Sequence, residues 1–149
     1  MLRAPHRVLW VALLLPYLIY EFAGIFDDLQ GKRWPSLQSR GRRLRRVGFN
    51  TDDIAYWVGV ANAKLDQWGE SLREFESIKK PLDAPADEAA RYSFHAWSLY
   101  KLGRAREART LLRHALEPAW PASRREWAES FLDESRSTSE SDSPFDPVH

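Results

Sequence analysis

The apolar positions of this chain fall into one nearly unbroken block followed by several periodic stretches. From Val8 to Phe26 the sequence reads VLWVALLLPYLIYEFAGIF, with Glu21 its single charged residue. Nineteen helical residues rise about 28 Å, against a hydrocarbon core of roughly 30 Å. Beyond Gly31 and Pro35, which act as breakers, Leu37, Leu44 and Val47 recur at helical spacing among arginines and predict a short helix over 36–47 with Ser36 as its N-cap. Gly48-Phe49-Asn50 ends it. Two later segments, Ala55 to Ile78 and Tyr92 to Ala115, carry apolar residues at the same offsets 37 residues apart, and each reads as a pair of amphipathic helices. The first pair spans about Asp52 to Lys80, capped by Asn50 or Thr51 and stopped by Pro81. Asp52 and Asp53 sit in its first turn, where the helix dipole favours acids. The second pair spans about Ala86 to Glu117, stopped by Pro118. Ser123-Arg124-Arg125-Glu126 has the spacing of a capping box and opens one further helix reaching about Glu134, with Trp127, Phe131 and Leu132 on its apolar side.

The expected architecture is therefore all-α: a short tail over 1–7, a transmembrane helix over 8–26, a basic linker with its short helix over 27–50, a helical-hairpin domain over 51–134 and a disordered tail over 135–149. Three readings compete for the apolar block. A cleaved leader needs small residues before the cut, and Glu21-Phe22-Ala23 is a poor site. A buried helix is the second reading, and the length criterion favours the third, a retained anchor. Glu21 then lies at the membrane interface. Seven Lys and Arg between Asp27 and Arg46, against Arg3 and Arg7 before the block, place the hairpins in the cytoplasm of a bacterial inner-membrane protein.

Charge and composition narrow the chemistry. The net charge of +1 conceals a cluster of Arg40, Arg42, Arg43, Arg45 and Arg46, suited first to an anionic lipid surface, then to a plain solvated face, and only third to nucleic-acid phosphates. The absence of cysteine from the 149 residues excludes disulfides, thiolate catalysis and thiolate metal sites. His6, His95, His114 and His149 lack metal-ligand spacing, and neither a phosphate-binding glycine loop nor a nucleophile elbow is present. No enzyme, cofactor or metal is expected.

The two hairpin segments carry a resemblance. Val58-Gly59, Asn62, Leu65, Trp68, Ser71, Leu72 and Phe75 match His95-Ala96, Leu99, Leu102, Ala105, Ala108, Arg109 and Leu112 offset for offset, and both turns begin with Lys-Leu. This pattern resembles the tetratricopeptide repeat, a helical hairpin of about 34 residues. The departures are Ala55, Asn62, Leu99 and Ser71 at positions where the family favours other residues, and a longer linker at Lys79 to Pro85. The resemblance implies a concave groove lined by the first helix of each hairpin, here by Tyr56, Val60, Lys64, Ser93, Trp97, Tyr100 and Lys101. Those aromatics and lysines suit a peptide segment or helix with apolar and negative groups, although Trp97 and Tyr100 equally suit packing on a neighbouring helix. It further implies a non-catalytic protein-interaction module: an assembly factor or accessory subunit of a membrane complex. An envelope chaperone-like factor with the repeats on the other membrane face is the alternative, and a basic nucleic-acid-binding protein the rival from another class. Two repeats are few for a stable solenoid, so a partner or self-association is expected to complete the core.

Overall fold

The structure, a computed structural model, describes the backbone of residues 5–116 and 119–137 and the side chains of 14–116 and 119–134. The described residues form seven helices and no strand. They divide into two compact units, Met1–Asn50 and Thr51–His149.

The first unit is a helical hairpin. Helix α1 spans Pro5–Gln30 and α2 spans Trp34–Arg46. The turn between them closes through Arg33 N–H donating to the Asp28 carbonyl at 2.8 Å, with Lys32 in the left-handed region at φ 52°. Leu37, Gln38, Gly41 and Leu44 fall on one face of α2 and are buried, as are Leu18 and Ile25 of α1. Between them lies a charged layer. Asp28 accepts from Arg33 Nε at 2.8 Å and Arg40 Nε at 2.9 Å, while Glu21 accepts from Arg40 Nη1 at 3.1 Å and Arg43 Nε at 2.7 Å. Gly24 makes room for this network, because a Cβ there would run into the Arg40 guanidinium.

Several expectations change here. Among the described residues no helix is long and apolar enough to cross a membrane. The helix that contains residues 8–26 runs on through Asp27, Asp28 and Gln30, and two of its carboxylates, Glu21 and Asp28, are buried against arginines of α2. The transmembrane helix over 8–26 is thus overturned, and with it the single-pass, inner-membrane placement. Ser36 is not an N-cap: α2 starts earlier, at Trp34, with Pro35 in its first turn, where a missing N–H costs nothing.

The second unit holds α3 Asp52–Lys64, α4 Trp68–Ser77, α5 Pro85–Lys101, α6 Ala105–Ala115 and α7 Ala122–Ser137. Thr51 caps α3, its hydroxyl accepting from Ile54 N–H at 3.3 Å. Helices α3 and α4 pair, as do α5 and α6; α5 packs on both α3 and α4, and α7 on both α5 and α6. The two hairpin turns are equivalent. Gln67 N–H donates to the Asn62 carbonyl at 2.9 Å and Arg104 N–H to the Leu99 carbonyl at 2.8 Å, and the left-handed residues Asp66 and Gly103 occupy the same place. Glycine takes that conformation without the steric cost a side chain incurs, and Asp is among the residues that tolerate it. At the crossing of α3, α4 and α5, the buried Ser71 hydroxyl donates to the Gly59 carbonyl at 2.9 Å, and Ser98 Oγ lies 3.1 Å from Ser71 Oγ. Ser123 lies inside α7 rather than capping it; the Pro121 carbonyl accepts from Arg124 and Arg125 N–H instead. Of the tail expected to be disordered over 135–149, residues 135–137 belong to α7; Pro118 and the tail from 138 onward lie outside the described residues.

Candidate functional site

The residues expected to line a concave groove are largely consumed by the fold. Val60, Ser93 and Trp97 are buried, and the Ser93 hydroxyl donates to the Ala89 carbonyl at 2.8 Å. Trp97 stacks on Tyr100 with ring centroids 5.4 Å apart, and both meet the edge of Phe131 of α7. Helix α7 therefore covers the α5 face that a ligand would have used. Lys101 Nζ sits 5.1 Å over the Trp97 ring and Lys64 Nζ 5.3 Å over Phe94. The Tyr56 hydroxyl lies 3.4 Å from Asp87 Oδ1, and burial, then that carboxylate, push its pKa up. These seven residues do not make one open groove.

The arginines expected to face lipid divide as well. Arg40 and Arg43 turn inward to Glu21 and Asp28, Arg45 has its Nε buried, and Arg42 and Arg46 are exposed. Hydrogen bonds from Arg43 hold Glu21 below its ordinary pKa against the effect of burial, with Arg40 adding to them. Burial alone would raise Asp28, but hydrogen bonds from Ser36, Arg33 and Arg40 outweigh it and lower the pKa. Both acids are charged structural pins.

An open site lies elsewhere, on the side of α5 turned away from α7. A cavity of about 470 Å³ is lined by Glu76 of α4, His95 and Leu99 of α5, and Arg104, Arg106, Glu107, Thr110, Leu111 and His114 at and along α6. A second, of about 280 Å³, shares His114 and runs past Tyr92 and Trp120 to Glu88, Pro85 and Leu82. Both border α5 and α6 and share His114, and the pair is the trough. Its walls are set by local chemistry: Glu88 accepts from Leu82 N–H at 3.0 Å and pairs with Arg91 at 2.6 Å, fixing the loop before α5. Tyr92 and Trp120 stack at 6.1 Å to form an aromatic shelf.

At the other end, Arg104 is held by Glu107 at 2.6 Å and faces Glu76 at 3.9 Å, so those charges are mutually satisfied. Arg106 has no carboxylate partner among the described residues. His95 stacks on Phe75 at 6.0 Å, and its ring has no hydrogen-bond partner among the described residues. Burial, reinforced by Arg91 and Arg104, lowers its pKa to about 4, so the imidazole is neutral at pH 7. The trough thus offers an apolar floor, the uncommitted Arg106 guanidinium and the neutral His95 imidazole. Among the described residues no group of three His, Cys, Asp or Glu is placed to hold a metal ion. Sequence reading found no metal-ligand spacing at His95 and missed the trough, whose lining comes from three helices and the loops before α5 and α7; the one available signal was the shared side of Tyr92, His95 and Leu99 on α5.

No family model matches the chain, and neither a curated protein nor a solved structure is significantly similar to it.

Proposed function

We propose that residues 51–137 form a short tetratricopeptide-like solenoid that works as a non-catalytic protein-binding module, an assembly factor or accessory subunit, with the trough along α5 and α6 as its working surface. The observation that carries this reading is the register of the two hairpins. Helix ends, left-handed turn residues and turn hydrogen bonds recur at one offset, from Lys64 to Lys101, Asp66 to Gly103 and Trp68 to Ala105. Stacked hairpins bury a continuous core and need a lid at the end, the place that α7 takes. The trough's chemistry suits an extended peptide with an apolar side chain for Leu99 and Leu111 and a carboxylate for Arg106. Along α5 from Glu88 to Leu99 it runs about 17 Å, room for roughly five extended residues.

Selection from a random peptide library on the full chain tests this. Enriched peptides pairing an apolar residue with a nearby acid are expected, binding more than about tenfold more weakly to an Arg106→Glu/Leu111→Glu variant of unchanged helicity. Failure to enrich any peptide, or equal binding by the variant, removes the trough as the working surface.

A further inference from the structure

Helix α1 buries two carboxylates and leaves an apolar stripe in the open. Its side toward α2 carries the buried Glu21 and Asp28, whereas Leu15, Ile19, Tyr20 and Phe26 are 50%, 60%, 65% and 57% exposed. Pro16 and Ala23 lie on the same open side, and no charge interrupts it before Asp27. Isolated exposed apolar residues are ordinary, but a continuous stripe marks an interaction surface. The spacing of this one identifies its partner. Leu15, Ile19, Phe22, Phe26 and Leu29 follow one another at intervals of four, three, four and three residues, and in the sequence the same spacing extends back through Ala12 and Val8. That is the apolar seam of a coiled coil, with Ile19 at an a position and Leu15 at a d position, the combination that favours two strands.

We infer that α1 pairs with α1 of a second copy of this chain across a two-fold axis. A seam of this kind is self-complementary: it presents apolar knobs and holes in equal number and leaves no charge unpaired. The three exposed seam side chains, Leu15, Ile19 and Phe26, offer roughly 300 Å² per copy, so a pair buries about 600 Å² before Ala23, Leu29 and Phe22, whose ring also meets Phe49 within its own unit, are counted. A specific interface needs roughly 1,000 Å², and the rest of α1, about 39 Å long, has the length to supply the difference. The inward charge network has a matching role. By tying Glu21 and Asp28 to α2 it keeps both acids off the seam.

Sedimentation equilibrium of the full 17.3 kDa chain, from about 1 to 100 µM, tests the pairing. A mass approaching twice that value is expected. In Ile19→Lys/Phe26→Lys, which changes exposed positions only, association weakens by at least about a hundredfold, while Ser39→Lys on the open side of α2 leaves it unchanged. Should the lysine pair lower helicity, Ile19→Gln/Phe26→Gln is read in its place. A parent that stays monomeric throughout overturns the inference, as does a variant that associates as tightly as the parent. A monomer that floats with vesicles of phosphatidylcholine and phosphatidylglycerol overturns it also, giving the stripe to a lipid surface.

Discussion

Gly59 and Gly69 lie ten residues apart and predict opposite responses to a side chain. A Cβ on Gly59 would lie 2.8 Å from the Phe75 ring, which is itself buried in the core. Gly59→Leu is therefore expected to cost about 1 to 3 kcal/mol, and Ala96→Leu, at the matching place in α5, a similar amount, both measured by urea denaturation. Gly69 in α4 has open space around its missing Cβ, and Gly69→Ala is expected to stabilise by roughly 0.5 to 1 kcal/mol through helix propensity. His95 supplies a pH signature. Its folded pKa of about 4 lies below the ordinary 6.5, so the unfolded chain binds the proton first as pH falls. Stability is complete above pH 6.5 and declines from there towards pH 4, by up to roughly 3 kcal/mol. In His95→Phe, whose ring preserves the stack on Phe75, the drop in melting temperature between neutral pH and about pH 5 is expected to shrink.

At the scale of the element, α1 and α2 are held by charge as much as by apolar contact. Removing Arg40 leaves Glu21 and Asp28 buried with fewer partners, so Arg40→Met is expected to cost roughly 3 kcal/mol. Gly24→Ala should destabilise the parent, because its methyl group enters the guanidinium's space, but should be nearly neutral in the Arg40→Met background. A double-mutant cycle followed by circular dichroism measures that coupling. Glu21 and Asp28 both have lowered folded pKa values, so their contribution is full above the ordinary carboxylate range and fades as pH falls through the lowered values. Helix α7 packs through its rings: Phe131 sits on Trp97 and Tyr100. Trp97→Ala is expected to cost about 3 to 5 kcal/mol as a core deletion.

At the scale of the molecule there are two units with separate interiors, one built on Ile25, Leu37 and Leu44 and the other on Phe75, Leu99, Leu112 and Phe131. Calorimetry is expected to resolve two transitions, Arg40→Met lowering one and Gly59→Leu the other. A single transition shifted equally by both changes would show the units to unfold as one. The division also separates the two proposed surfaces, peptide binding on α5 and α6 and self-association on α1.

The periodicity of the sequence by itself determined the helices from Asp52 onward, a cap at Asn50 or Thr51, the turns after Lys64 and Lys101 and the closing helix, because each depends on neighbours three to five residues away. It also marked Gly59 and Ala96 as equivalent, since a small residue recurring in register signals a helix crossing. Periodicity shows which face of a helix is apolar, not what covers it. Hence Trp97 and Tyr100 could be read as groove or core until α7 was seen to lie on them. The apolar block 8–26 looked like an anchor because Glu21 has its arginines 19 and 22 residues away, beyond any local pattern. Pairings at that distance exist only once the chain has turned back on itself. The tertiary structure alone decided that Glu21 and Asp28 of α1 face inward while Leu15, Ile19, Tyr20 and Phe26 face out, and that α4, α5, α6 and the loops before α5 and α7 line the trough.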